Sequence, residues 1–113
     1  MSSVVVKSVD VDLVRRSMDA YAERLLATHP EIEEIVVFGS FVNGNYAPGS
    51  DLDLFILLTG STRLMRDRIP DLLPGAFPVP VDLFPLTREE TAERTSSPMM
   101  REIQRSTWRY RRV

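Results

Sequence analysis

Residues 36–53 of this chain read VVFGSFVNGNYAPGSDLD, in which two apolar segments flank a polar, glycine-rich loop. The first segment, residues 35–38, is short and rich in β-branched residues, which is typical of a buried strand. The second segment, residues 52–58, predicts another strand because it is apolar apart from Asp53 and is followed by turn residues. The spacing therefore puts a Gly-Ser pair at the end of one strand and an Asp-Leu-Asp sequence at the start of the next.

Helices are predicted on both sides of these two strands. From Val11 to Leu26 apolar residues recur at every third or fourth position, which is typical of an amphipathic helix, and Asp10 is a suitable N-cap. Residues 63–73 predict a second helix, which Pro70 kinks or ends early because proline interrupts helical hydrogen bonding.

The remainder of the chain predicts one more strand and two helices. Residues 79–86 predict a strand that lies at a sheet edge or has unpaired ends, because its two prolines cannot donate hydrogen bonds to a ladder. Residues 88–94 and 98–110 predict C-terminal helices. The expected fold class is α/β (α+β), with a small mixed β-sheet of three to four strands flanked by helices.

Length and composition favour one domain over residues 1–113, with an N-terminal helix in 1–30, core strands in 31–86 and C-terminal helices in 87–113. The absence of cysteine excludes a disulfide scaffold, a thiolate nucleophile and a Cys-ligated zinc site. Because no apolar run is long enough for a bilayer and no signal peptide is recognisable, we expect no membrane contact and a cytoplasmic location.

The 14 basic and 16 acidic residues give a formal charge of −2, which argues against direct nucleic-acid binding. Five arginines nevertheless lie in the last thirteen positions: Arg101, Arg105, Arg109, Arg111 and Arg112. They could meet an acidic partner or phosphate, but a solvated helix face with a frayed basic end is the interpretation we favour.

Three acids and one Gly-Ser turn carry the predicted chemistry. Asp51 and Asp53 are two residues apart on a predicted strand, so their carboxylates project from one face. Asp82 lies in the third strand, and Gly39 with Ser40 forms a turn at the start of a short helix where backbone N–H groups can bind phosphate. Hard cations such as Mg²⁺ favour oxygen ligands of this kind, which suggests metal-assisted phosphoryl or nucleotidyl transfer.

Each part of this pattern also has a purely structural interpretation. Asp51 could close a turn, and Asp82 could face solvent on an edge strand. Asp53 is harder to explain in that way, because an unpaired carboxylate within an apolar strand is costly. A P-loop is excluded because the glycines of residues 44–49 are followed by Ser-Asp instead of Gly-Lys-Ser/Thr.

Gly39-Ser40, ten residues, then Asp51-Leu52-Asp53 resembles the GSX10DXD signature of the DNA polymerase beta-like nucleotidyltransferase superfamily. In particular, the chain resembles the small minimal nucleotidyltransferase (MNT) proteins. The similarity includes the Val81-Asp82-Leu83 strand and covers about residues 35–110. It implies a nucleotidyltransferase fold, with ATP as the substrate.

The resemblance also implies a role for each matching residue. Asp51 and Asp53 would hold two Mg²⁺ ions that bind the nucleoside triphosphate. Asp82 would ligate one metal and orient or deprotonate the attacking hydroxyl. Gly39 and Ser40 would bind the β- and γ-phosphates, and attack at the α-phosphorus would release pyrophosphate.

Two further details concern Ser50 and the residues that follow Ser40. Ser50 is a weaker candidate for a phosphate contact. Many relatives carry an arginine or another cation inside the Gly-Ser-x-x-x-Gly segment, whereas residues 41–43 are Phe, Val and Asn here. Metals or an arginine from elsewhere would have to supply that charge.

The resemblance suggests an acceptor as well. Relatives that modify small molecules, such as aminoglycosides, usually carry an added helical domain, and only short C-terminal helices are predicted here. Stand-alone MNT proteins resemble antitoxins that adenylylate a tyrosine of a HEPN-domain RNase toxin, so we expect such a toxin as partner and acceptor. A small-molecule nucleotidyltransferase and a binding-only antitoxin with weak or no catalysis remain alternatives.

Overall fold

Residues 9–112 are the part of the chain that the computed structural model describes, and they form helices interspersed with strands. The helices are α1 (Val11–Thr28), α2 (Ser40–Asn43), α3 (Met65–Arg68), α4 (Arg88–Ala92) and α5 (Pro98–Arg105), with a 3-10 turn at Pro70–Leu72. The strands are β1 (Ile32–Phe38), β2 (Leu52–Leu58), β3 (Val81–Thr87) and β4 (Arg109–Arg111). No described helix is both long enough and apolar enough to span a membrane.

The strands form one mixed sheet in the order β3-β2-β1-β4. Strand β1 runs antiparallel to both β2 and β4, whereas β2 and β3 are parallel. The predicted class is confirmed: a small mixed sheet is flanked by helices. The predicted edge position of the third strand is confirmed too, although β3 begins at Val81, two residues later than expected. Pro80 lies just before it, and its carbonyl accepts a hydrogen bond from the Leu52 N–H at 2.8 Å.

Both faces of the sheet are covered. Leu52, Leu54 and Ile56 of β2 pack with α1 on one face, as their alternation predicts. On the other face, Met100 and Ile103 of α5 pack against apolar residues of β1 and β2. Because side chains alternate along a strand, Asp53 projects toward the α5 face, among apolar neighbours.

The first helix follows the predicted pattern closely. The Asp10 side chain accepts a hydrogen bond from the Leu13 N–H at 3.0 Å, which confirms the N-cap. The helix continues to Thr28, two residues beyond the predicted end, and His29 is its C-cap. Residues 1–8 of the predicted N-terminal segment, and residue 113, lie outside the described residues.

Two predicted helices are shorter than expected. The segment 63–73 forms only α3 and the following 3-10 turn, because Pro70 stops the α-helical hydrogen bonding as predicted. Helix α4 ends at Ala92 instead of residue 94. It begins with a capping box, in which the Thr87 hydroxyl accepts from the Glu90 N–H and the Glu90 carboxylate accepts from the Thr87 N–H.

The prediction of a helix to residue 110 is wrong. Helix α5 ends at Arg105, and β4 follows it as a fourth strand on β1. Ser106 accounts for the change, since its buried hydroxyl donates to the Val37 carbonyl at 2.5 Å and accepts from the Trp108 N–H at 3.2 Å. These bonds turn the chain into an extended conformation and direct Trp108 into the core.

The interpretation of a frayed basic end is also wrong for its last three arginines. Arg109 and Arg111 both bind the Glu34 carboxylate of β1. Arg112 donates to the carbonyls of Ile32 and His29, at 3.0 and 2.7 Å. These side chains stabilise the edge of the sheet. Arg101 and Arg105 are exposed on α5, as expected.

Candidate active site

The three predicted acids lie at the same end of the sheet. Asp53 is the second residue of β2 and pairs directly with Asp82, the second residue of β3. Neighbouring strands are about 4.7–4.9 Å apart, so in-register residues of one face are adjacent. Asp51 lies one residue before β2, outside the strand that it was predicted to share with Asp53, but its negative charge still acts on Asp53. Asp51 and Asp82 are exposed, and Asp53 is partly buried.

The environment of Asp53 disfavours the ionised form of its carboxylate. Its pKa is raised to about 6, first because burial disfavours the charged form and then because Asp82, Asp51 and Glu102 are negatively charged neighbours. A bound cation would favour the ionised form of this carboxylate. The site therefore has the electrostatic character that a divalent cation would complement.

Gly39 brings the predicted phosphate-binding turn against Asp53. Phe38, the last residue of β1, is paired with Asp53, so the turn begins directly beside it. Gly39 has φ = +83°, which favours glycine, and a Cβ at this position would lie only 2.2 Å from Asp53 Oδ2. The close approach therefore requires glycine for two independent reasons.

Ser40 begins α2, as the sequence predicts. The N–H groups of Val42 and Asn43 both bond to the Gly39 carbonyl, and no side chain caps the helix. The earliest N–H groups of a helix have no acceptor within it, so those of Ser40 and Phe41 are suited to bind an anion. The weaker candidate, Ser50, has a local role: its hydroxyl accepts from the Ala47 N–H at 2.8 Å and closes the loop before Asp51. A phosphate contact by Ser50 stays a prediction.

The site contains a residue that the sequence analysis did not identify. Glu102 of α5 is one of the charges that raise the pKa of Asp53, and its Oε1 accepts a hydrogen bond from Asn43 Nδ2 at 3.1 Å. No sequence motif marks Glu102, because its position depends on how α5 packs across the sheet. That packing is set by Met100 and Ile103, whose side chains are buried.

The donor set fits magnesium. No group of three or more His, Asp or Glu residues within 9–112 is already arranged as a ligand set. Mg²⁺ usually needs no such set, because it keeps several waters and binds one or two carboxylates together with substrate phosphates. Asp51 and Asp53, next to the Gly39–Ser40 turn, offer that combination.

Comparison with known proteins agrees with this geometry. Residues 18–106 match the family described as the nucleotidyltransferase domain. No curated protein matches the sequence significantly. The fold is similar to the crystal structure of a candidate nucleotidyltransferase from Sulfolobus solfataricus, with a TM-score of 0.59 and 23% sequence identity over 74% of this chain and 75% of that one. The four-stranded mixed sheet and its helices are thus a nucleotidyltransferase fold, and the chain belongs to the nucleotidyltransferase domain family.

Proposed function

We propose that this domain transfers AMP from ATP to a hydroxyl group of a protein partner and releases pyrophosphate. The pairing of Asp53 with Asp82 beside Gly39 is the observation that carries this proposal. It supports the proposal because two carboxylates beside a turn with free backbone N–H groups could act on one nucleotide, as metal-assisted nucleotidyl transfer requires.

Each group has a distinct role in the proposed reaction. Asp51 and Asp53 would hold Mg²⁺, which supplies positive charge to the triphosphate when bound. The backbone N–H groups of the Gly39–Ser40 turn would bind the outer phosphates. Asp82 would orient the acceptor hydroxyl and take its proton as the oxygen bonds to the α-phosphorus. The bond between the α-phosphorus and the bridging oxygen breaks, and pyrophosphate leaves with that oxygen.

Two features favour a protein acceptor. Asp51 and Asp82 are exposed, so a segment of another chain can approach them without opening a closed cavity. The motif also resembles that of MNT antitoxins, which implies a HEPN-domain RNase toxin as the acceptor and complex partner. We propose this class of partner, with a hydroxyl side chain as the modified group.

A second candidate is a small-molecule acceptor. A cavity of about 300 Å³ lies where α1 meets the segments that precede β2 and β3, and it is lined by Leu13, Pro48, Ser50, Val79 and Pro80 among others. Ser50 directly precedes Asp51, and Pro80 lies two positions before Asp82. The cavity is close to the lower size limit of typical small-molecule sites.

Label transfer distinguishes these acceptors. The purified protein, with Mg²⁺ and each of the four α-³²P-labelled nucleoside triphosphates in turn, would be incubated alone, with a HEPN-domain protein of the proposed partner class, and with a panel of small hydroxylated compounds. The double variant Asp51→Ala/Asp53→Ala is the matched control. Label on the HEPN-domain protein that disappears with the double variant is the expected result.

Two other outcomes would contradict the proposal. Label on a small compound but never on the protein would favour the second candidate. No label with any of the four nucleoside triphosphates, despite tight binding of the HEPN-domain protein, would favour an antitoxin that acts by binding alone.

A further inference from the structure

One side-chain contact joins α2, the short helix that follows the turn at Gly39, to the helix α5. Asn43, the last residue of α2, donates from Nδ2 to Oε1 of Glu102 on α5. Asn43 is exposed and Glu102 is partly buried, so the bond lies at the protein surface. Asn43 and Glu102 are 59 residues apart in the sequence.

The α5 side of this contact is firmly anchored. Met100 and Ile103 are almost completely buried, and the Ser106 hydroxyl binds the Val37 carbonyl of β1. Arg109 adds a further restraint, because its guanidinium donates to the carbonyls of Ile103 and Ser106, each at 3.1 Å. Glu102 lies between these anchors and is therefore held in one place.

The α2 side has much weaker support. The helix has four residues, of which only Phe41 is buried, and positive-φ glycines flank it at Gly39 and Gly44. A cavity of about 440 Å³ lies between α2 and α5 and is lined by Asn43, Glu102 and Arg105 among others. Because the space between α2 and α5 is open, the bond between Asn43 and Glu102 spans a gap that packing does not fill.

We propose that Glu102 is a positioning residue, which accepts the Asn43 amide and thereby fixes α2 and the Gly39–Ser40 turn beside Asp53. The other restraints on α2 are Phe41, which is buried and stacks on Tyr46, and Val42, which packs against the core, so loss of this bond should loosen mainly the end of the helix at Asn43. The consequence for nucleotide binding rests on the proposed function, but the positioning role itself does not.

Hydrogen exchange tests the positioning role without any nucleotide. The amides of Val42, Asn43 and Gly44 bond to carbonyls at the start of α2, so their exchange reports on its opening. Glu102→Ala and Asn43→Ala should each accelerate their exchange by roughly twofold to tenfold, the range of a net hydrogen bond. Glu102→Gln should stay within about twofold of the natural protein, because a glutamine oxygen can still accept the bond.

The matched control is Gln104→Ala, which changes an exposed side chain of the same helix outside the cavity. It should leave the exchange of α2 unchanged. The double variant Asn43→Ala/Glu102→Ala should exchange no faster than either single variant, since both remove one shared interaction.

Binding of MgATP, measured by calorimetry, forms the second arm. Glu102→Ala and Asn43→Ala should each weaken it by roughly twofold to tenfold, and Glu102→Gln, which keeps the hydrogen bond, should weaken it less than Glu102→Ala. Unchanged α2 exchange in Glu102→Ala or Asn43→Ala would overturn the proposal. So would equal loss in Glu102→Gln and Glu102→Ala, because the charge itself would then be what matters. Failure of the natural protein to bind MgATP would contradict the proposed function, while the exchange data would still decide the positioning role.

Discussion

At the scale of single residues, Asp53 is a carboxylate held where its charge is disfavoured. It lies on an apolar strand, and burial together with neighbouring acids raises its pKa to about 6. The pKa of an unfolded aspartate is about 3.9. The folded state therefore binds the proton more tightly, so the contribution of Asp53 to stability is full below about pH 4 and is lost as the pH rises through 6.

We therefore expect Asp53→Asn to stabilise the apo protein at pH 7.5, and its advantage over the natural protein to vanish near pH 4. Urea unfolding at both pH values measures this difference in stability between the variant and the natural protein. Addition of Mg²⁺ at pH 7.5 should raise the unfolding midpoint of the natural protein only. Nucleotidyl transfer by the variant should fall roughly a thousandfold, about 4 kcal/mol. A variant less stable than the natural protein at pH 7.5 would mean that Asp53 has a stabilising partner.

Gly39 allows a second test at this scale, with Gly44 as its control. Both glycines have a positive φ, but a Cβ at Gly44 meets no atom within 4 Å, whereas one at Gly39 would collide with Asp53 Oδ2. Gly44→Ala should cost about 1–2 kcal/mol of stability from backbone strain alone. Gly39→Ala should cost more and should also displace Asp53.

Urea unfolding and transfer assays of the two alanine variants separate strain from contact. Activity should be lost in Gly39→Ala and retained in Gly44→Ala after correction for the folded fraction. Equal effects of both substitutions would show that the close approach of Gly39 to Asp53 is unimportant.

At the scale of elements, the junction between α5 and β4 determines the C-terminal part of the fold. Ser106 ends the helix, binds β1 through the Val37 carbonyl and directs Trp108 into the core. Ser106→Ala would leave a buried carbonyl and a buried N–H without this partner. We expect a loss of about 1–3 kcal/mol in the free energy of unfolding.

The comparison variant for this measurement is Ser96→Ala, an exposed serine in the turn before α5. Its unfolding free energy should change by no more than about 0.5 kcal/mol. If the two serine variants unfold at the same urea concentration, Ser106 does not hold β4 in place.

At the scale of the whole molecule, the sequence predicted the parts that depend on local pattern. The apolar strands around residues 35–38 and 52–58, the Asp10 cap and the Gly39–Ser40 turn all follow from short-range rules. Their order along the chain was enough to predict a mixed sheet covered by helices.

The parts that were missed depend on contacts between distant segments. Strand β4 has only three residues, and its pairing with β1 depends on Ser106 and on ion pairs to Glu34. The register of Asp53 with Asp82 and the approach of Glu102 likewise depend on packing across the sheet. No periodicity in the sequence reports such contacts.

The central claim is that a metal-bound nucleotide occupies the end of the sheet at which Asp51, Asp53 and Asp82 lie. Backbone NMR with Mn²⁺ and the non-cleavable analogue α,β-methylene-ATP tests it most directly, because the paramagnetic ion broadens nearby amides most strongly. We predict that signals of the Gly39–Ser40 turn and of the three aspartates disappear first, while Gly60 at the opposite end of β2 is affected last. Asp51→Ala/Asp53→Ala should abolish the effect. Broadening that begins at Gly60, or that persists in the double variant, would contradict the account.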